Sequence, residues 1–582
     1  MEDNNLESRL SFHRGNMKKE VRLITSALPY INNVPHLGHI VGSHLPADIF
    51  ARFCRTKGYE TLFVGGTDEN GTTSEIAAES VGVDIETFAK TLRAEHKKIY
   101  DWFGISYDHF STTSSPVHHK TTQDFFKVVN DNGFISPGKM KVFYSPKEDR
   151  FLADRYIVGT CPKCGYPDAN GDQCEKCTSV LEPMQLVNPR SANTDSPVEV
   201  REAKHLFLRL DKLSPQIESW IKKQDNWRSQ VTGIALGWIK EGLRERCITR
   251  DLKHGIPVPE KGYEDKVFYV WFDAPIGYVS ATKEARPNDW ERFWKNDDSR
   301  VYNFLGKDNI PFHTIFWPGM LLAHKDMNLP YNVVGLQYLN YEGGKFSKSK
   351  KRGVFCEKLA ETGIDPDLMR GYLTSVIPET DDTEFTWEEF ARRINSDIIG
   401  NYSNLMNRTV SFISTRLDGY VERPKESKLT EEDKALAASI ETRAKKIEEH
   451  LESAQLRSAY AEFLALSSDG NRYFEQTKPW IVIKTDKERT AGILYNCAGL
   501  CKSLSVLSSP FMPGASQKVW NQLGLNGKAD TSGNWDSSYD LRSESSYKTG
   551  EPKVLFGKIT PTYLAKFKEQ VSDTLDLAEL FK

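Results

Sequence analysis

Hydrophobic and polar positions follow two alternating periods in the first hundred residues of the chain. Val21–Ala27 is an apolar run with β-branched residues, which predicts a buried strand. Residues 36–57 have helical periodicity, and Gly58 predicts the end of that helix. Thr61–Val64 predicts a second strand, closed by the glycine pair at 65–66. Strands that alternate with helices predict a parallel sheet with helices on its faces.

The pattern changes between residues 117 and 250, where Pro, Gly and Asp are frequent and the alternation is lost. We interpret this segment as an insertion. Apolar runs that predict strands return at Lys266–Phe272, Val301–Leu305 and Tyr331–Leu339. Beyond Asp397 no further strands are predicted.

The last third of the chain has helical periodicity. Apolar residues recur there at intervals of three and four positions: Leu436, Ile440, Ala444, Ile447, Leu451 and Ala454. This spacing places them on one face of a helix, as in a helix bundle. Gly527–Pro552 is rich in Ser, Asp, Gly and Asn, which predicts a long surface loop.

These patterns predict an α/β fold with a Rossmann-like parallel-sheet domain, an insertion within it and an all-α helix bundle after it. The predicted domains are a flexible N-terminal extension (1–20), the first half of the sheet domain (21–116), the insertion (117–250), the second half of the sheet domain (251–340), a linker (341–396) and the helix bundle (397–582).

Composition narrows the class of protein. Hydrophobic residues make up 39% and charged residues 27% of the 582 residues, which can build large cores and does not indicate global disorder. No run approaches the roughly 18 apolar residues of a membrane helix. Met1–Lys19 is polar and lacks the apolar region of a signal peptide, so we expect a cytoplasmic location. The net charge of −3 excludes a wholly basic nucleic-acid coat but allows local basic patches.

Four cysteines form two CxxC pairs with nine residues between them: Cys161, Cys164, Cys174 and Cys177. This spacing predicts a tetrahedral zinc site with four thiolate ligands. Four sulfurs leave no coordination position for substrate, so the ion would be structural and would stiffen the insertion as a zinc knuckle. The alternative is a redox dithiol, which usually has a single CxxC beside a helix.

Two short signatures carry candidate chemistry. The first is His36-Leu37-Gly38-His39, where a helix begins after a strand. A helix N-terminus offers backbone N–H groups to an anion, and Gly38 lets a nucleotide approach the backbone. Imidazole N–H groups of His36 and His39 could bind phosphate oxygens. Taken alone, the two histidines are equally compatible with capping or surface roles.

The second signature is Lys345-Phe346-Ser347-Lys348-Ser349, which follows a predicted strand and two glycines. A lysine-rich loop after glycines suits closure over a polyphosphate. Taken alone, it would be interpreted as a solvated basic loop, as most runs of charged residues are.

In this order, the two signatures resemble the HIGH and KMSKS motifs of class I aminoacyl-tRNA synthetases. Neighbouring segments resemble one branch of that class, the methionyl-tRNA synthetase family: Ala27-Leu28-Pro29-Tyr30, Trp271-Phe272-Asp273-Ala274-Pro275-Ile276-Gly277-Tyr278, Gly306-Lys307-Asp308-Asn309 and Phe312-His313. The resemblance extends from about Val21 to at least Trp480. Two residues depart from the family pattern, since Phe346 replaces the usual Met and Asn309 stands where some members have Ile.

The resemblance implies a site for methionine and a site for ATP. The residues that match the methionine pocket are Leu28, Tyr30, Trp271, Ala274, Pro275, Tyr278 and His313, with Asp68 for the ammonium group. The residues that match ATP-binding positions are His36, Gly38, His39, Gly306, Lys345 and Lys348. The implied catalytic residues are His36, His39, Lys345, Lys348, Asp308 and Arg250.

The resemblance also implies a methionine–tRNA ligase with ATP, L-methionine and tRNA(Met) as partners, Mg²⁺ bound with ATP and one Zn²⁺ ion. Asn404, Arg408 and Trp480 match anticodon-reading residues, so 397–582 would be an anticodon-binding domain. Without the resemblance, Trp480 would be interpreted as a core residue. The chain ends shortly after the bundle, without an appended dimerising domain, so we expect a monomer.

Three rival functions were weighed. Synthetases for isoleucine, valine and leucine carry a large editing domain, and the insertion of about 130 residues lacks room for one. Cysteine-specific members place zinc in the amino-acid site, whereas the four clustered cysteines here all lie in the insertion. A catalytically silent RNA-binding relative should have lost signature residues, and none is visibly lost. A nucleotidylyltransferase that shares the histidine turn would not need an anticodon bundle.

Overall fold

The structure is a computed structural model that describes residues 20–152, 154–177, 179, 181–346, 352–572 and 577–581. The predicted N-terminal extension lies outside these ranges except for its last residue, Glu20. In the part of the chain that is described, no helix combines the length and the apolar character that a membrane crossing requires.

Short strands occur mainly in the first two thirds of the chain, with one further pair beyond residue 397. In chain order they are β1 Val21–Ser26, β2 Glu60–Thr67, β3 His109–Thr112, β4 Ile135–Ser145, β5 Arg150–Leu152, β6 Ile157–Thr160, β7 Ala169–Asn170, β8 Val187–Ser191, β9 Glu199–Leu208, β10 Arg246–Cys247, β11 Thr249–Arg250, β12 Val267–Phe268, β13 Ser299–Gly306, β14 Asn332–Leu336, β15 Leu339–Tyr341, β16 Thr383–Phe385, β17 Tyr420–Glu422 and β18 Ser546–Lys548.

Helices cover the sheet and build the C-terminal third. In chain order the α-helices are α1 Leu37–His39, α2 Leu45–Lys57, α3 Thr72–Val81, α4 Ile85–Trp102, α5 Pro116–Asp131, α6 Leu210–Ile221, α7 Ser229–Glu241, α8 Val270–Ala285, α9 Glu291–Trp294, α10 Trp317–His324, α11 Pro366–Ser375, α12 Trp387–Arg393, α13 Asn404–Arg416, α14 Glu431–Glu452, α15 Leu456–Thr477, α16 Pro479–Val482, α17 Lys487–Ser508, α18 Pro513–Gln522 and α19 Pro561–Ser572. Three π-helical segments are Ile40–His44, Phe312–Phe316 and Ile394–Ser403.

The central sheet confirms the predicted parallel architecture. Its strand order is β14–β13–β1–β2–β3, and every neighbouring pair is parallel. The chain builds β2 and β3 on one side of β1 and returns to place β13 on the other side. The strand order therefore reverses next to β1, and parallel sheets bind ligands beyond the carboxyl ends of their strands at such a point.

The predicted helix over residues 36–57 is confirmed, with a π-helical turn inside it. It consists of α1, the segment Ile40–His44 and α2. Gly58 ends it in the left-handed conformation with φ of 103°, as the glycine predicted. The π turn was not predicted, since it has no sequence signal of its own.

Two strand predictions need correction. The run Lys266–Phe272 forms only the two-residue strand β12, because α8 already begins at Val270. Val270 and Phe272 of this run are buried in the helix, and a short apolar run does not distinguish that from a buried strand. The glycine pair at 65–66 lies inside β2 and does not close it. A Cβ on Gly66 would lie 2.7 Å from the Ser111 carbonyl oxygen, so the neighbouring strand requires glycine there.

The insertion contains two antiparallel sheets. Strands β10, β9, β4 and β5 form one sheet in that order, and β7, β6 and β8 form the other. The four clustered cysteines lie in the loops of the smaller sheet, two between β6 and β7 and two between β7 and β8.

The helix bundle follows the predicted periodicity. The six residues that were predicted to share one face are all buried, and five of them lie on α14. The prediction that no strands occur beyond Asp397 was wrong, because β17 and β18 form a short antiparallel ladder. The predicted loop 527–552 is also not simply a surface loop. Its Trp535 is fully buried, and its ring lies 4.9 Å from that of Phe53 on α2.

Candidate active site

A cavity of about 590 Å³ lies beyond the carboxyl ends of β1 and β2. It brings together every residue that was predicted for methionine binding: Leu28, Tyr30, Asp68, Trp271, Ala274, Pro275, Tyr278 and His313. These residues come from the loops after β1 and β2, from α8 and from the π-helical segment Phe312–Phe316. The π turn adds one residue to a helical turn and is frequent at functional sites.

Aromatic rings form one wall of this cavity. The ring centroid of Trp271 lies 4.5 Å from that of Phe312, in an edge-to-face arrangement. Tyr278 and His313 form a buried pair, with 2.9 Å between the Tyr278 hydroxyl and His313 Nε2. This wall is aromatic, and its two polar groups, the Tyr278 hydroxyl and the His313 ring, are paired with each other.

The tautomer of His313 follows from its two contacts. Its Nδ1 lies 3.0 Å from the carbonyl oxygen of Asn309 and must donate to it, since a carbonyl only accepts. Nε2 therefore accepts from the Tyr278 hydroxyl. Burial lowers the pKa of His313 to about 4, so the ring is neutral near pH 7.

Asp68 lies at the bottom of the pocket and is only 3% exposed. Its backbone N–H donates to the Pro29 carbonyl at 2.9 Å, which joins the loops after β1 and β2. Burial and the charge of Asp273 hold the pKa of Asp68 well above its usual range. A hydrogen bond from the Asn70 backbone N–H opposes this rise only in part.

The first signature forms the rim between this pocket and a second cavity. The Gly38 backbone N–H donates to His36 Nδ1 at 3.0 Å, and the His36 backbone N–H donates to His39 Nδ1 at 3.2 Å. Because both Nδ1 atoms accept, each neutral ring carries its proton on Nε2. A Cβ at Gly38 would lie 2.8 Å from the His36 ring, so glycine leaves room for that ring in its present position.

The second cavity has a volume of about 350 Å³ and is lined by His36, Gly38, His39, Gly306, Asp308 and Lys345. It shares both histidines, Asp308 and the loop after β1 with the first cavity. Asp308 accepts a hydrogen bond from the Tyr338 hydroxyl. Lys345 Nζ lies 5.1 Å from the centroid of the Tyr338 ring. The two cavities thus form one continuous cleft.

Phe346 joins the two signatures. Its ring stacks on that of His36, with 4.7 Å between centroids and 11° between planes. The residue that departs from the family pattern therefore contacts the first signature directly. Lys348, which was predicted to bind phosphate, lies outside the described residues, as do Ser347 and Ser349.

Arg250 is the one described candidate that does not line either cavity of the cleft. It borders a neighbouring cavity of about 630 Å³ that also contains Trp271. Its guanidinium carbon lies 3.5 Å from the centroid of the Tyr269 ring. The structure therefore places Arg250 beside the pocket, next to the residue that precedes α8.

Two family models match the chain. Residues 22–410 match class I tRNA synthetases of the methionine type, and residues 423–576 match the anticodon binding domain of methionyl tRNA ligase. The first match alone covers more than half of the chain. The chain belongs to the methionyl-tRNA synthetase family of class I.

Individual relatives agree with this family. The chain is 42% identical over 558 residues to methionine–tRNA ligase 1 of Acaryochloris marina, covering 94% of this chain and 99% of the relative. It is 42% identical over 576 residues to methionine–tRNA ligase of Streptomyces avermitilis, covering 94% and 98%. The fold is similar to that of Mycobacterium tuberculosis methionyl-tRNA synthetase in complex with methionyl-adenylate, with a TM-score of 0.77, 24% identity and coverage of 93% and 100%.

The cysteine cluster has the geometry of a metal site. The four sulfur atoms lie within 4.8 Å of one another, with 3.8 Å between Cys161 and Cys177 and 3.6 Å between Cys164 and Cys174. Four thiolates around zinc at about 2.3 Å would be separated by about 3.8 Å. None of the four forms a disulfide. The cluster can therefore hold one metal ion.

A second candidate surface lies in the bundle, where Trp480 falls within the anticodon-domain match and Asn404 and Arg408 precede it. Asn404 is exposed at the start of α13, and Arg408 lies one turn later. The Arg408 guanidinium carbon lies 4.3 Å from the Phe474 ring centroid and 5.8 Å from that of Trp480. Trp480 is 37% exposed and stacks on Phe474, with 5.9 Å between the ring centroids.

Several residues of the cleft were not predicted from the sequence. Arg155, Asp172 and Gln173 reach the methionine pocket from the insertion, where no local pattern indicates it. Asp273 and Asn70 lie behind Asp68 as buried polar residues. Asp273 lies inside a motif that matches the family. An acidic residue in that otherwise apolar segment was the signal that could have identified it.

Proposed function

We propose that the chain activates methionine with ATP, forms methionyl-adenylate and pyrophosphate, and transfers the methionyl group to the terminal adenosine of tRNA(Met). The observation that carries this proposal is the continuity of the cleft. An aromatic pocket with one buried carboxylate opens, past two histidines and a glycine, onto a cavity that ends at a lysine.

The pocket matches the chemistry of methionine at both ends. A thioether gains from contact with aromatic rings, which Trp271 and Tyr278 supply. The ammonium group needs a buried partner of opposite charge, which Asp68 supplies. The neutral His313 fixes the Tyr278 hydroxyl by accepting a hydrogen bond from it, so no charge faces the thioether.

ATP would lie across the second cavity with its phosphates at the histidine turn. The methionine carboxylate is already ionised, so its attack on the α-phosphate needs no general base. Rate enhancement then comes from positioning and from donors aimed at the phosphate charge. We assign the Nε2–H groups of His36 and His39 to one side of the phosphates. Lys345 and Lys348 would bind the departing pyrophosphate, and Mg²⁺ would be bound by ATP itself.

The remaining assignments concern the ends of the molecule. We propose that the cysteine cluster holds structural Zn²⁺, because four thiolates satisfy its tetrahedral preference and leave no open position. The exposed ring of Trp480, with Arg408 and Asn404, suits stacking and edge recognition of single-stranded anticodon bases. A cytoplasmic location and a monomeric state remain predictions.

The test is amino-acid-dependent ATP–pyrophosphate exchange with each of the twenty amino acids. We expect exchange to be fastest with methionine. Equal or faster exchange with leucine, isoleucine or cysteine would contradict the assignment. Charging of tRNA(Met) with labelled methionine then tests the second step separately.

A further inference from the structure

The ring of His36 lies between two other rings. The His39 ring is stacked on it with 3.9 Å between centroids, and the Phe346 ring is stacked on it with 4.7 Å between centroids. Two rings cannot both stack on one face of an imidazole at these distances, so they cover opposite faces. The Gly38 backbone N–H contacts the edge of the same ring through Nδ1 at 3.0 Å. His36 is therefore contacted on both faces and on one edge.

Phe346 reaches this stack from a position that its neighbours define. It follows β15 and is partly buried, whereas the adjacent Lys345 is exposed. The Tyr341 ring lies 5.6 Å from the Phe346 ring, between centroids. A Cβ at Gly353 would lie 2.6 Å from Phe346 Cδ1, so glycine leaves room for the phenyl ring there. These neighbours hold the phenyl ring where it lies flat on the imidazole.

The main chain of the histidine turn is held separately. The Leu37 backbone N–H donates to the Val354 carbonyl at 3.3 Å. His36 itself forms an antiparallel bridge with Phe355. These contacts fix the backbone of the turn, but they do not act on the imidazole. The plane of the His36 ring depends on the contacts that the ring itself makes.

The orientation of a histidine ring is only weakly set by its own torsion angle. The torsion between Cβ and the ring has broad minima, so an imidazole without flat neighbours can turn its N–H group away from a ligand. Flat rings on both faces oppose that rotation, because a tilted imidazole would collide with them or lose the stack. Direction matters here, since a hydrogen-bond donor stabilises developing charge only when it is aimed at it.

We propose that Phe346 is a positioning residue for adenylate formation, and that it acts by holding the His36 ring at the angle from which Nε2–H meets the phosphates. The inference rests on the proposed function, which assigns His36 to the phosphates. Phe346 needs no contact with either substrate for this role. The departure from the family pattern then has a physical reason, because a flat ring covers an imidazole face more fully than a flexible thioether does.

Single-turnover adenylate formation by the full chain, without tRNA, measures the effect. Phe346→Leu keeps the apolar bulk and removes the ring. The rate should fall about twofold to twelvefold, which corresponds to about 0.5–1.5 kcal/mol for one aromatic pair, with little change in the KM for methionine. Phe346→Tyr keeps the ring and should keep the rate. The matched control is Phe412→Leu, which removes a partly buried ring from α13. A wild-type rate in Phe346→Leu would overturn the inference.

A double-mutant cycle shows whether the loss acts through His36. His36→Ala removes the donor, and in that background Phe346→Leu should have almost no further effect on the rate. A full further loss without the imidazole would show that Phe346 acts by packing alone, which would overturn the inference. A wild-type chain without methionine-dependent exchange would instead contradict the proposed function, so the two failures are distinguishable.

Nuclear magnetic resonance of the full chain, with histidine isotope-labelled at Cε1, observes the stack without catalysis. The signal of His36 is the one that His36→Ala removes, and the ring current of the phenyl group contributes to its shift. This signal should move in Phe346→Leu and in Phe346→Met, and it should stay in place in Phe346→Tyr. Phe346→Met introduces the residue that is usual in the family, so it provides the test if Phe346→Leu fails to fold. An unchanged signal in the variants without the ring would overturn the inference.

Discussion

The methionine pocket and the Trp480 surface are built on opposite principles, although both use aromatic rings. In the pocket, the polar groups are buried and held before any ligand arrives, as the pair of Tyr278 and His313 shows. On the bundle, Trp480 is 37% exposed and Arg408 lies against the ring of Phe474. The pocket encloses a ligand, and the surface offers a stacking platform.

The difference corresponds to the two substrates that we propose. A small amino acid must be distinguished by a few buried contacts, so the pocket leaves atoms such as Asp68 Oδ1 unsatisfied until it fills. A single-stranded nucleic acid is bound by stacking and by its backbone, which an exposed ring and a guanidinium can supply without prior closure. Mutations in the two regions should therefore differ in size and in which substrate they affect.

The largest effect is expected for Asp68→Asn. It keeps the shape of the side chain but removes the charge that faces the ammonium group, and an unpaired buried charge costs about 3–5 kcal/mol. Methionine-dependent exchange should fall by about a hundredfold to several thousandfold at subsaturating methionine. The exposed Asp84→Asn serves as the control. Wild-type exchange in Asp68→Asn would remove Asp68 from the site.

A smaller loss is expected for Lys345→Ala. The lysine is proposed to bind charge that develops on pyrophosphate, and loss of one such group costs about 3 kcal/mol. The rate of adenylate formation should fall by about a hundredfold, with little change in methionine affinity. Single-turnover adenylate formation over a range of methionine concentrations, on this variant and on the exposed Lys212→Ala, separates the two quantities. A raised KM for methionine at an unchanged rate would contradict the role.

Trp480→Ala should affect only the nucleic-acid substrate. Loss of one stacked base costs about 1–3 kcal/mol, so tRNA charging efficiency should fall by about fivefold to a hundredfold. Ile481→Ala is a matched control, because Ile481 is the next residue and is 52% exposed. Thermal melting on the same samples checks the fold. A melting temperature that falls with exchange would show that the ring has a packing role.

The smallest effect on chemistry is expected at the cysteine cluster. Cys161→Ser should abolish the zinc content and lower the melting temperature, since the ion ties the two CxxC turns together. Exchange at saturating methionine should fall less than in Asp68→Asn or Lys345→Ala. Any loss should appear in the KM for methionine, because Asp172 and Gln173 adjoin Cys174 and line the pocket. Elemental analysis that finds no zinc in wild-type protein would refute the assignment.

The parts of the site that were predictable are those that follow strands in sequence. Asp68 comes directly after β2 and Tyr30 lies four residues after β1, and parallel strand ends meet at one edge of a sheet. The contributions of Arg155 and Asp172 were not predictable, because they depend on how the insertion packs over the cleft. Phe346 stacks on His36, which lies more than 300 positions earlier in the chain. Local sequence periodicity contains no information about such a contact.

The secondary-structure errors have a related cause. The start of α8 at Val270 was predicted as strand. Apolar residues lie on all sides of this part of the helix, so the sequence has no clear helical stripe there. The buried Trp535 was missed inside a polar segment, because one anchoring residue leaves the surrounding composition loop-like. In both cases tertiary packing, which the sequence pattern does not contain, decided the outcome.

The central claim is that the pocket serves methionine and the bundle surface serves tRNA. The most direct test measures two quantities, methionine-dependent exchange and tRNA(Met) binding, on both Asp68→Asn and Trp480→Ala. The account predicts a crossed pattern, in which Asp68→Asn loses exchange and keeps tRNA binding, and Trp480→Ala keeps exchange and loses tRNA binding. Loss of both quantities in both variants, or of exchange in Trp480→Ala at an unchanged melting temperature, would contradict it.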